Sequence, residues 1–128
     1  TRVVAGSQTS TALGTLTVSQ GGVTLNGAAG TVGFGTYVLL TGGTLTLDNG
    51  TANLNDRLGG GVPTHTLQFN GGTLNIIGNA GAATSESIST GTTGQMNVNS
   101  GGGILTLTAN PAQSAGLRAA RASRRTGD

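Results

Sequence analysis

Apolar and polar residues alternate in short bursts along this chain. In residues 13–18, Leu16 and Val18 fall on one side and Thr15 and Thr17 on the other. The alternation returns at 23–25, 44–47, 65–69, 73–77, 95–99 and 104–108. Leu45 and Leu47 point one way, Thr44 and Thr46 the other, and Met96 and Val98 read as inward. Residues 36–41 form the most hydrophobic candidate strand. Residues 86–90 are a weak one with Ile88 inward, Val32 and Phe34 stand two apart, and residues 1–4 suit an edge. Turn-forming residues punctuate these bursts: 19–22, Asn26-Gly27, Asp48-Asn49-Gly50, Asn70-Gly71, the loop at 78–85 and Asn110-Pro111. Gly59-Gly60-Gly61 with Pro63 makes another loop, since proline is kept out of a central ladder. Helical periodicity is absent before residue 112. Short strands between closely spaced turns predict an all-β chain.

The bursts are copies of one phrase. Gly71-Gly72-Thr73-Leu74-Asn75-Ile76-Ile77 matches Gly42-Gly43-Thr44-Leu45-Thr46-Leu47, and looser versions open at Gly21-Gly22 and Gly101-Gly102. The glycine pairs begin at 21, 42, 71 and 101, so the repeats are 21, 29 and 30 residues long. Such a period is the mark of a stacked array, in which each copy gains a core only from its neighbours. The expected fold is a right-handed parallel β-helix or β-solenoid of about 4–5 coils, climbing about 4.8 Å per coil. It is read as one domain over 1–128, with the Ala- and Arg-rich 111–128 as a further coil or a tail. The same turn signals also fit an antiparallel sandwich or meander; the recurring phrase favours the parallel stack.

Composition sharpens this picture. The chain has 25 glycines, one tyrosine, two phenylalanines, no tryptophan and only 8% charged residues. A wide aromatic core is excluded, and a thin core of Leu, Val and Ile fits. Abundant Thr and Val and a net charge of only +2 argue against disorder. Cysteine is absent, which removes disulfides, thiolate metal sites and a cysteine nucleophile and suits an exported bacterial protein. All six cations are arginines, four of them at 118, 121, 124 and 125, so the pI near 10.6 reflects a basic end. The longest apolar run, Tyr37-Val38-Leu39-Leu40, is far short of the roughly 20 residues of a membrane helix. The opening Thr1-Arg2-Val3-Val4 lacks an initiator Met and an apolar leader, as expected of a processed product or an excised piece.

Candidate chemistry is sparse. The acids are Asp48, Asp56, Glu86 and Asp128, with no pattern that clusters them for polysaccharide cleavage. Asp48 sits in a turn, where Asp bonds its own backbone. Asp56-Arg57 reads as a local ion pair or loop anchor. His65 is a lone histidine, so no metal site is expected, and Gly59-Gly60-Gly61 lacks the Lys-Ser/Thr ending of a phosphate loop. No cofactor is expected. Arg118, Arg121, Arg124 and Arg125 are candidates for contact with a polyanion, but no aromatics interleave for base stacking, so nucleic acid is not expected. Thr15/Thr17, Thr44/Thr46 and Thr106/Thr108 resemble the Thr-x-Thr ranks of ice-binding solenoids, but without a pair in every copy, so ordinary outward threonines are the preferred explanation. Asn49-Gly50-Thr51 is an isolated glycosylation sequon.

Taken in order, Gly43 to Asn49, Asn53 to Leu58, Leu67 to Asn79 with Ala80, Glu86, Leu105 to Thr108 and Arg125-Thr126-Gly127 resemble the autotransporter-associated β-strand repeats of very large exported bacterial proteins. The resemblance covers most of 12–128. It implies an extracellular or cell-surface β-helix used as a stalk, adhesin or passenger scaffold, with no catalytic residues to carry over. The basic stretch 118–125 and the short chain depart from that pattern. The expected protein is therefore a non-enzymatic scaffold or filament subunit that partners itself end to end, or neighbouring repeats of a longer chain. Asn53, Asn55, Asp56 and Arg57, with the loop 59–63, are its candidate lateral contact. The alternative is a glycan- or surface-binding module using a Thr/Asn face.

Overall fold

The computed structural model describes residues 2–4, 7–8, 14–32, 37–58, 66–88, 95–119 and 121–124, with side chains described for 14–32, 37–58, 66–88 and 95–117. Strands β1 (Arg2–Val4), β2 (Ser7–Gln8) and β3 (Thr15–Val18) come first. They are followed by β4 (Gly22–Leu25), β5 (Thr31–Val32) and β6 (Tyr37–Leu40). Next are β7 (Thr44–Asp48) and β8 (Thr66–Phe69), then β9 (Thr73–Ile77), β10 (Thr84–Ile88) and β11 (Gln95–Val98). The last three are β12 (Ile104–Thr108), β13 (Ala115–Ala119) and β14 (Arg121–Arg124). No helix occurs among the described residues.

The strands pair in a cycle. One sheet has the order β1-β4-β7-β9-β12, a second β3-β6-β8-β11-β14, and two short sheets join β2 to β5 and β10 to β13. Every described pairing is parallel. The antiparallel sandwich is therefore not what the described strands form; their arrangement is compatible with a parallel β-solenoid. Repeated phrases lie directly over one another, Leu45 on Leu74 and Leu74 on Leu105.

This register turns alternation into apolar files. Leu25, Leu47 and Ile76 stack in the first sheet, and Val18, Leu40 and Phe69 in the second; all are buried. Each such side chain contributes about 1.5–3 kcal/mol on burial, and the files supply the core that one copy alone lacks. Met96, Val98 and Leu117 are partly buried against it.

The glycine pair has two separate causes. Gly71 has φ +96°, in the left-handed region that side chains avoid. Gly72 lies against the round below: a Cβ there would sit 2.5 Å from Leu40 Cβ and 2.8 Å from the Leu40 carbonyl carbon. Gly43 over Val18 and Gly103 over Phe69 repeat this close approach.

One segment differs from the sequence expectation, and another is narrowed to one of its two readings. The third strand of its round begins at Thr84, inside the expected loop 78–85, because Thr84, Glu86 and Ile88 all turn inward and are buried. The Ala- and Arg-rich end carries β13 and β14, laid on β10 and β11, so it is a further round rather than a tail. At this edge β12 is uncovered, with Ile104 61%, Leu105 41% and Leu107 45% exposed.

Candidate functional site

Among the described residues, the densest polar structure lies where β7 leaves the first sheet. Residues 56–57 fill the place of a strand between β5 and β10: Val32 N donates to Arg57 O at 2.9 Å, and Asp56 N to Ser85 O at 3.0 Å. The segment is not a regular strand because Asp56 has φ +57°. Side chains restore the lost ladder. Asn55 Oδ1 accepts from Ser85 N at 2.9 Å and Asp56 Oδ1 from Ser87 N at 2.8 Å.

The left-handed step sends Arg57 inward, where it is fully buried. Its Nε donates to Asn49 Oδ1 at 3.0 Å and its Nη1 to Gly30 O at 2.8 Å; Nη2 donates to Gly27 O at 2.8 Å and Ala52 O at 3.0 Å. One guanidinium thus ties its own loop to the turn of the round below. The round above supplies Glu86, also fully buried, whose Oε1 accepts from Arg57 N at 2.9 Å and Oε2 from Leu58 N at 3.3 Å. Burial pushes the Glu86 carboxyl up to about 7; the two backbone N–H groups and the Arg57 charge pull it down, and nearby Asp56 pushes it up. Burial lowers the Arg57 guanidinium from its ordinary value, against the pull of Glu86 and Asp48.

Asparagines line the same corner. Asn79 Nδ2 donates to Asn49 O at 2.7 Å, while Asn79 Oδ1 accepts from Gly81 N and Ala82 N. Asn49 Oδ1 accepts from Leu54 N at 2.8 Å as well as from Arg57, but its buried Nδ2 has no hydrogen-bond partner. Asn53 joins the network through Thr84 Oγ1, which donates to Asn53 Oδ1 at 2.7 Å. Asp48 Oδ1 accepts from Gly50 N, the local turn bond expected of it.

The expected contact residues Asn53, Asn55, Asp56 and Arg57 are therefore brought together, with much of their hydrogen bonding directed inside the protein. Asn55 is the exposed member; Arg57 is a loop anchor whose side-chain bonds run to neutral acceptors and not to Asp56. Asn49, Asn79, Thr84 and Glu86 complete the cluster without having been picked out as site residues. Parity held the signal for Glu86: with Ile88 inward, a residue two positions back faces the same way. The sequon residue Asn49 is buried. Arg118 occupies the register position of Ser87, Arg121 that of Gln95 and Arg124 that of Val98. The loop 59–63, His65 and Arg125 lie outside the described residues. Among the described residues no group of three or more His, Cys, Asp or Glu could hold a metal ion, and no helix is long and apolar enough to cross a membrane.

Comparison with family models, curated proteins and solved structures finds no match for the chain.

Proposed function

We propose that this chain is a non-enzymatic structural element, a right-handed parallel β-solenoid whose five returns to the first sheet are five coils of a rigid stalk or scaffold. The observation that carries the reading is the parallel ladder of the two five-stranded sheets with its apolar files. Right-handedness follows from the rule for crossovers between parallel strands of one sheet. Most polar groups of the corner node are spent on joining coils, as a scaffold requires. The uncovered edge of β12 supports continuation of the stack, by a second copy or by further repeats. Export to the cell surface, and kinship with the autotransporter-associated repeats, rest on the resemblance of the repeated phrase. Electron microscopy of the purified chain tests the proposal: rods or end-to-end fibres of constant width are expected, and featureless compact particles that cleave a polysaccharide would overturn it.

One observation favours a second reading as a glycan- or surface-binding module. The register lines up Thr24, Thr46, Asn75 and Thr106 in one file on the outward side of the first sheet. Glycan-array binding or ice shaping that disappears in Thr46→Val would support it; neither property in the intact chain would dismiss it.

A further inference from the structure

We propose that Asn49–Gly50 is a self-modification site, at which the backbone nitrogen of Gly50 closes on the side-chain carbonyl carbon of Asn49 and expels the side-chain amide as ammonia. Four features of the corner carry this. The Asn49 carbonyl oxygen is polarised by Arg57 Nε at 3.0 Å and Leu54 N at 2.8 Å, two donors placed where negative charge would develop. The leaving group, Nδ2, is buried and bonded to nothing. The attacking nitrogen donates its hydrogen to the Asp48 carboxylate at 2.8 Å, a base in reach of the proton it must lose. Residue 50 has no Cβ, and one would stand only 3.1 Å from Asp48 Oδ1.

The step balances without an oxidant or a reductant. The proton of Gly50 N passes to Asp48 as the N–C bond forms, and the carbonyl electron pair moves onto Oδ1, facing Arg57 and Leu54. The pair returns and the C–Nδ2 bond breaks; the departing nitrogen takes a proton from water and leaves as ammonia, and Asp48 returns its proton to solvent. The product is a five-membered imide. Water then opens it, at one carbonyl to aspartate with the backbone intact, at the other to the isoaspartyl linkage.

The aspartate product suits the corner better than asparagine does. Every guanidinium bond of Arg57 goes to a neutral oxygen. A carboxylate at 49 would give that buried cation a direct counter-charge and remove the orphaned N–H groups. Glu86, pushed up to about 7, is partly protonated at neutral pH and supplies only part of that charge.

The chain carries its own controls in Asn26-Gly27 and Asn70-Gly71. Gly71 N donates to the Gly102 carbonyl at 2.7 Å, an acceptor that cannot take its proton. Folded protein held in mildly alkaline buffer, and the same chain held in urea, are digested and mapped by mass spectrometry with fragmentation that separates aspartyl from isoaspartyl peptides. In the folded chain, the Asn49 peptide should lose ammonia, or gain the mass of the acid, several-fold ahead of the other two sites and no more slowly than in urea. Asp48→Asn keeps an acceptor for Gly50 N but no base, and should slow Asn49 in the folded chain while leaving its rate in urea unchanged. Asn49→Asp should raise the unfolding midpoint. An Asn49 that stays intact in the folded chain while converting in urea is merely locked in place, and overturns the proposal. So does an Asp48→Asn chain, folded by circular dichroism, that converts at the parent rate.

Discussion

Glu86 Oε1 accepts the backbone N–H of Arg57 at 2.9 Å, while the guanidinium of the same residue spends its donors on Gly27, Gly30, Ala52 and Asn49. The two buried ionic residues meet through the main chain of one and the carboxyl of the other. Their side chains work in opposite directions along the stack, Glu86 clamping the loop from above and Arg57 from within onto the round below.

That relationship makes stability depend on pH. The Glu86 carboxyl is raised in the folded state from its ordinary 4.5 to about 7, chiefly by burial. A raised acid contributes stability that is fully present below the unfolded value and is lost as pH rises through the folded one. At about 1.4 kcal/mol per pH unit, the distance between the two values caps the effect at roughly 3 kcal/mol. Urea unfolding followed by far-ultraviolet circular dichroism should show stability falling between about pH 4.5 and 7. Glu86→Gln should remove most of that slope. It should also be the less stable chain at low pH, because one of its two contacts becomes an amide NH2 facing the Leu58 N–H.

Arg57 is a test of how the rounds are held together. Arg57→Met removes four side-chain hydrogen bonds, leaves carbonyls of the round below unserved and strips Glu86 of its neighbouring cation. The expected cost is about 3–5 kcal/mol, the range for breaking a buried charged network at one partner. Arg57→Lys keeps the charge but replaces the planar fork by a point donor, and should recover only part of the loss. Amide exchange at Val32, whose N–H is bonded to Arg57 O, should quicken in the Met variant before exchange in β7 and β9 does.

Much of the frame was legible because parity and spacing are cheap to read. The alternation at 44–47 and 73–77 predicted strands that the structure places in parallel register, and the glycine-pair period predicted that they stack. The site was less legible, for a physical reason. A buried Arg or Glu goes against the usual rule that such residues stay outside, and only a left-handed Asp56 makes room for Arg57. Nothing in Asn53–Leu58 announces that φ value. Glu86 could have been found, since the expected strand 86–90 already contained it two positions before the inward Ile88, but a carboxylate is not an ordinary core residue. The choice between a further round and a tail at β13 and β14 stayed open because arginine and alanine replace the aliphatic alternation that marks the earlier rounds.

Gly21 and Gly72, the first glycine of one pair and the second of another, should respond differently to the same substitution. Gly21→Ala meets no atom within 4 Å, so only its positive φ of 67° resists the change, at about 1–2 kcal/mol. At Gly72 the new methyl group would collide with Leu40, including its backbone carbonyl, which cannot rotate away. Overpacking of this kind costs about 1–3 kcal/mol and often more against rigid backbone. Gly72→Ala should be the more damaging of the two, read from urea midpoints at constant slope. Leu40→Ala made together with Gly72→Ala tests the cause: the clash with Leu40 Cβ and backbone persists, so the second change should add its own loss and give no rescue.

Leu74 and Leu105 are neighbours in one file and separate burial from position in the stack. Leu74 is completely buried between Leu45 and Leu105, whereas Leu105 is 41% exposed at the uncovered edge. Leu74→Ala should cost about 2–5 kcal/mol, because the rounds on both sides cannot collapse into the cavity. Leu105→Ala has a free side to relax into and should cost less than half as much. If the uncovered edge is where the stack continues in solution, Leu107→Arg should lower the urea midpoint far less than Leu74→Ala does and shift sedimentation from concentration-dependent assemblies to single chains. An inward cation on an edge strand opposes the addition of another strand. Unchanged assemblies in Leu107→Arg would move the self-contact away from this edge.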